Sequence, residues 1–138
     1  MRLRRLCIDG RATDHWVAEC TSGVERLRGV LGRGPLPDSL ALRLAPCNAI
    51  HSCGLRFALD ITFCDRQGSV LAWRAAMMPW RMSAHWSAWQ VFEFRTGTLA
   101  RLGIRHGRRL HVAPCESIEP PQPVRLWCGR CHGQSSRA

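Results

Sequence analysis

The hydrophobic positions of this chain fall mostly into short alternating runs, and that spacing predicts strands. Leu40, Leu42 and Leu44 alternate with Ala41 and Arg43, and Leu59, Ile61 and Phe63 alternate with Asp60, Thr62 and Cys64. Successive side chains of a strand point to opposite faces, so each run reads as a strand half buried against a core. Residues 3–8, 16–20, 70–73, 89–94 and 108–112 add five more apolar runs of strand length. Asp9-Gly10 and Asp65-Arg66-Gln67-Gly68 supply turns between neighbouring runs.

Helix signals are fewer. Ser22 and Glu25 stand three apart, the spacing of a capping box, in which hydroxyl and carboxylate satisfy each other's backbone donors. The predicted helix continues to Leu31 with Val24, Leu27, Val30 and Leu31 on one face, and Gly32 and Gly34 end it. A shorter helix over 99–102 stops at Gly103, and Gly34-Pro35-Leu36-Pro37-Asp38 breaks the chain between elements. After Ala113 the periodicity fades among Pro114, Pro120, Pro121 and Pro123. The expected fold is mainly β (α+β): a small antiparallel sheet or barrel-like single domain with one main helix, spanning residues 1–113. Residues 114–138 read as an irregular, extended C-terminal tail, partly disordered.

Composition changes this picture in one respect. The 138 residues and 46% hydrophobic content suit one ordinary domain, but the net charge is +10. All 20 basic residues are Arg, with no Lys and no Tyr, a bias that a GC-rich genome produces without any charged partner. The Arg residues are scattered, apart from short clusters at Arg2, Arg4, Arg5 and at Arg101, Arg105, Arg108, Arg109. Without a recognisable nucleic-acid motif, the charge supports a solvated surface first and non-specific nucleic-acid contact only after that. The basic start Met1-Arg2-Leu3-Arg4-Arg5 is followed by only three apolar residues before Asp9, short of the roughly seven an export core needs. No apolar run approaches the ~18 residues of a membrane span. The expectation is a cytoplasmic protein whose eight cysteines are reduced thiols rather than a disulfide framework.

Candidate chemistry concentrates between residues 46 and 65. In an extended segment His51 and Cys53 project from one face, and a thiol beside an imidazole is the minimum for an activated nucleophile, with Cys47 as a second thiol. The same side chains could bind zinc with Asp60 or Asp65 as oxygen donor, or simply be buried core residues. Asp60 interrupts an apolar strand, and Arg56 offers it a planar bidentate partner; the pair reads as an internal ion pair or as the lining of an anion pocket near His51. Met77, Met78, Trp80, Met82, His85, Trp86 and Trp89 form a segment that either packs over one end of the sheet or presents a binding surface. In the tail, Cys128-Gly129-Arg130-Cys131-His132 has the spelling of a haem-attachment string, yet haem is disfavoured without an export segment. Zinc held by His111, Cys115, Cys128 and Cys131 or His132 is the better metal reading, against incidental thiols in a flexible tail.

Several segments resemble the domain of unknown function 192 family. Residues 46–65, the run Glu25-Arg26-Leu27-Arg28-Gly29-Val30-Leu31-Gly32-Arg33, Pro79-Trp80-Arg81, Val91-Phe92-Glu93-Phe94 through Gly97, and Arg101-Leu102-Gly103-Ile104-Arg105-His106-Gly107 lie in the family's order across residues 16–112. Leu55, Cys53 and Arg108 depart from its usual residues, Arg108 standing where Asp is common. The resemblance implies a small β-rich domain and a non-catalytic binding or accessory role, linked to envelope or pilus assembly. Its site would be His51, Arg56, Asp60, Trp80 and Arg81, with a protein partner or a small polar or anionic ligand. A thiol- or metal-dependent enzyme using Cys47 or Cys53 with His51 is the alternative, and non-specific nucleic-acid binding the third.

Overall fold

A computed structural model describes residues 2–113 and 119–129. Its strands are β1 (Arg2–Ile8), β2 (Arg11–Cys20), β3 (Leu40–Leu44), β4 (Ala49–His51), β5 (Leu59–Cys64), β6 (Val70–Met77), β7 (Met82–Ala84), β8 (Gln90–Arg95) and β9 (Leu110–Ala113). The helices are α1 (Gly23–Arg28), α2 (Thr98–Leu102) and α3 (Gln122–Cys128). Seven strands form one sheet in the order β6-β5-β8-β3-β2-β1-β9, and β4 pairs with β7 in a separate ribbon. The mainly β, single-domain expectation holds.

The sheet is mixed rather than purely antiparallel. β2 and β3 run parallel, with Trp16 opposite Leu40 and Cys20 opposite Leu44. Parallel neighbours cannot be joined by a tight hairpin, so residues 21–39, including α1, make the crossover. The sheet does not close into a barrel. Its two edges touch at one bridge, Ser69 to Arg109. The Leu110 amide donates to the Gly68 carbonyl and the Val70 amide to the Arg108 carbonyl, both at 2.8 Å.

Both faces of the central strands are covered, so β5 is buried at every residue and β3 almost so, where alternation had predicted half-burial. One core cluster gathers Trp16, Leu36, Leu42, Ile61 and Phe63; the other gathers Val17, Phe92, Phe94, Leu99 and Leu110. Alternation survived in the sequence only because Asp60, Thr62 and Arg43 are polar residues with covered positions.

Two local elements differ from expectation. The Ser22–Glu25 capping box forms, but α1 ends at Gly29 (φ 50°) rather than at Gly32 or Gly34. Val24 and Leu27 are therefore left exposed instead of forming a buried face with Val30. The extended reading of the tail gives way, over Gln122–Cys128, to a helix with Pro at its first turn, where no backbone donor is needed. Val124 and Cys128, four apart, bury on the first cluster, while the Trp127 indole N–H donates to the Gly34 carbonyl at 3.3 Å. Arg33 lies over the same indole at 5.3 Å. Among the described residues no helix is long and apolar enough to cross a membrane.

Candidate functional site

Glu93 lies in the run Val91-Phe92-Glu93-Phe94 of β8, whose neighbours fill both faces of the sheet. Register places it beside Leu42 of β3 and Ile61 of β5, both core residues. Its carboxylate is taken out of water by that position: the residue is 3% exposed, and Oε2 meets no hydrogen-bond donor among the described residues. Burial pushes the carboxyl pKa from its ordinary 4.5 up to about 7.

The backbone passes directly over this carboxylate. A side chain at Gly29 would place its Cβ 3.4 Å from Glu93 Oε2. The positive φ that ends α1 therefore sits where the chain passes close to the acid, and the short helix and the buried carboxylate belong to one arrangement. Beside it is a cavity of about 100 Å³. Val30, Leu44, Ile50 and Leu55 give it buried apolar walls, and the more exposed Arg26, Arg28, His51 and Cys53 stand around its mouth. Arg26 donates to the Thr21 carbonyl, and Arg28 Nε donates to the Leu31 carbonyl at 3.0 Å.

His51, exposed, and Cys53, half-buried, both line this cavity. The Cys53 backbone N–H donates to His51 Nδ1 at 3.3 Å, so that nitrogen is engaged by an amide and not by a thiol. Cys47 Sγ donates to the Ala49 carbonyl at 3.1 Å, and burial pushes its thiol pKa upward. The more deeply buried Cys20 and Cys64 are pushed up to about 12. A raised pKa keeps a thiol protonated and unreactive.

The Arg56–Asp60 ion pair is not formed. Arg56 is exposed, while Asp60 accepts from the Ala76 amide at 2.8 Å and the Leu99 amide at 3.0 Å, with Thr96 Oγ1 donating at 3.4 Å. Two amides and a hydroxyl meet the need that a guanidinium was expected to fill. Because α2 has no side-chain cap of its own, Asp60 serves its first turn from the neighbouring strand.

Trp80 and Arg81 are exposed on the turn into β7 and do not line the cavity. Buried Ser52 fixes that turn: Arg81 N–H donates to Ser52 Oγ at 2.9 Å, Ser52 Oγ donates to the Met78 carbonyl at 2.7 Å, and Trp80 N–H donates to the Ser52 carbonyl at 3.1 Å. Of the five ligand candidates, only His51 meets the cavity. Among the metal candidates, His111 is exposed on β9 and Cys128 is buried under α3, whereas Cys115, Cys131 and His132 lie outside the described residues. No group of three or more metal-binding side chains occurs among the described residues. Arg108, the departure from the family's Asp, pairs with Asp9 at 2.7 Å and holds that carboxyl below its usual range.

Sequence reasoning passed over Glu93, although a signal was present. A carboxylate set between Phe92 and Phe94 in a strand apolar on both faces has nowhere exposed to go.

Residues 5–112, most of the chain, match the family model for domain of unknown function 192, described as Uncharacterized ACR. Among curated proteins nothing matches the chain. A solved structure from Sinorhizobium meliloti, described as a candidate transcription regulator, superposes with a TM-score of 0.72 at 19% identity, covering 80% of this chain and 94% of the other. A protein of unknown function from Novosphingobium aromaticivorans gives a TM-score of 0.66 at 21% identity, covering 79% of this chain and 84% of that one. At such identities the likeness carries the fold alone.

Proposed function

We propose that this chain, which belongs to the domain of unknown function 192 family, is a small-ligand-binding accessory domain whose ligand presents an amine to Glu93. The observation that carries the reading is the buried Oε2 of Glu93, which meets no donor among the described residues, beside an apolar-walled cavity. A buried polar group without a partner costs about 1–3 kcal/mol, more when charged, so a ligand that brings a donor recovers that penalty on binding. An ammonium group supplies both the donors and the compensating charge. The aliphatic walls suit a short alkyl segment behind it. Arg26, Arg28 and His51 at the mouth suit a polar or anionic outer end, consistent with the polar or anionic ligand that the sequence suggested.

Service to an envelope or pilus-assembly system belongs to the same proposal and rests on family resemblance alone. The thiol-enzyme reading has less support, since His51 Nδ1 accepts from the Cys53 backbone amide, and Cys47 Sγ donates to a backbone carbonyl and is held protonated. Thermal melting in the presence of butylammonium or 4-aminobutyrate tests the binding reading. The wild-type chain should be stabilised at pH 8 and less so at pH 6, and Glu93→Gln should lose at least ten-fold in apparent affinity. Absence of any stabilisation of wild type by either amine at pH 8 would overturn it.

A further inference from the structure

The β4 strand borders the cavity, and much of the β4–β7 ribbon is uncovered. Register sets Ala49 opposite Ala84 and His51 opposite Met82, all exposed, while Ile50 and Ser83 between them are more enclosed. The exposed row continues beyond both ends of β7: Met78, Trp80, Met82 and Trp86 are 59%, 68%, 82% and 90% exposed. Large apolar groups gathered in one exposed segment mark contact with a partner or with lipid. Trp80 also adopts φ 62°, a region that bulky residues rarely enter, and Ser52 fixes the turn from beneath. The outward placement of the indole is thus built into the backbone.

The charge around this row has one sign. No Asp or Glu occurs between Asp65 and Glu93 or between Asp38 and Asp60, so the two ribbon strands and the residues flanking each carry no carboxylate. Arg56, Arg74 and Arg81 are exposed in those segments, and none enters an ion pair among the described residues.

We propose that the outer face of the β4–β7 ribbon docks on an anionic lipid bilayer, with Trp80, Met82 and Trp86 entering the headgroup boundary and Arg56 and Arg81 meeting lipid phosphates. Tryptophan suits that boundary because its ring is apolar and its N–H polar, and methionine fills irregular apolar surroundings. Arginine adds attraction to an anionic surface that falls with salt. Single-stranded nucleic acid would use the indoles for stacking, but Met78 and Met82 offer no stacking plane. The lipid reading accommodates methionine and tryptophan alike.

Co-sedimentation of the full chain with phosphatidylglycerol–phosphatidylcholine vesicles, against phosphatidylcholine alone, tests this. Wild type should bind the anionic vesicles, weaken several-fold between low and high salt, and bind the neutral vesicles far less. A Trp80→Ser/Trp86→Ser variant should bind at least ten-fold more weakly, and Met82→Ser, which changes one largely exposed residue, should weaken binding with little change in the melting curve. No binding by wild type, or equal binding by both folded variants, would overturn the proposal. So would a dimer, or binding to an oligothymidylate, that these variants abolish while vesicles remain unbound.

Discussion

Asp60 and Glu93 are buried carboxylates on adjacent strands of one sheet, facing opposite sides, and their surroundings give them opposite tasks. Asp60 stands opposite Phe94 and Glu93 opposite Ile61. The first is met by the amides of Ala76 and Leu99, and the second lacks a donor for Oε2 among the described residues. Asp60→Ala would orphan two amides and should cost about 3 kcal/mol in urea unfolding, with Asp60→Asn, which keeps one acceptor, costing less. An Asp60→Ala variant as stable as wild type would refute this role. From the sequence, Asp60 stood out as a carboxylate in an apolar strand, but its partners did not. Its two amide partners lie 16 and 39 residues away and are backbone groups, which carry no residue-type signature.

At the scale of elements, hydrophobic spacing located most sheet strands because it records side-chain facing directly. Pairing order and direction were harder to read: nothing local to residues 40–44 says that β3 lies parallel to β2, since a crossover decides it. α1 shows a different limit. Its start was written in Ser22 and Glu25, whereas its end is set by Gly29 passing over Glu93, 64 positions onward in sequence. α3 was hidden because its prolines outweighed the single apolar pair Val124 and Cys128. The seam between the sheet edges makes an element-level prediction. At Gly68 (φ 90°) an added Cβ would fall 1.9 Å from the Leu110 carbonyl oxygen, a backbone atom with no side-chain freedom to yield. Gly68→Ala should therefore cost at least about 3 kcal/mol, read from the denaturant midpoint. A change under about 0.5 kcal/mol would show that the edges can part freely.

For the molecule as a whole, two buried groups set opposing responses to acid. His15 is buried, and desolvation lowers its pKa from 6.5 to about 4. Between those values the unfolded chain holds a proton that the folded chain refuses, so His15 makes stability fall as the pH drops. Glu93 is raised from 4.5 to about 7, so there the folded chain keeps a proton that the unfolded chain has released, and stability falls as the pH rises. Each slope is about 1.4 kcal/mol per pH unit, and the two offset between pH 4.5 and 6.5. In unfolding free energies measured across that window, Glu93→Gln should lose stability on acidification and His15→Leu should gain it. Identical profiles for both variants would contradict the assignment. The site was only partly legible at this scale because desolvation depends on how layers stack, which no residue states alone.

The grip of α3 on the loop after α1 has a mechanical corollary. Trp127 holds Gly34 and Arg33, two to four residues from the Val30 and Leu31 that line the cavity. The C-terminal helix thus works as a strut beneath the cavity's roof. Linkage runs both ways, so a pull on that helix loosens the roof, and a ligand wedged beneath it tightens the helix in return.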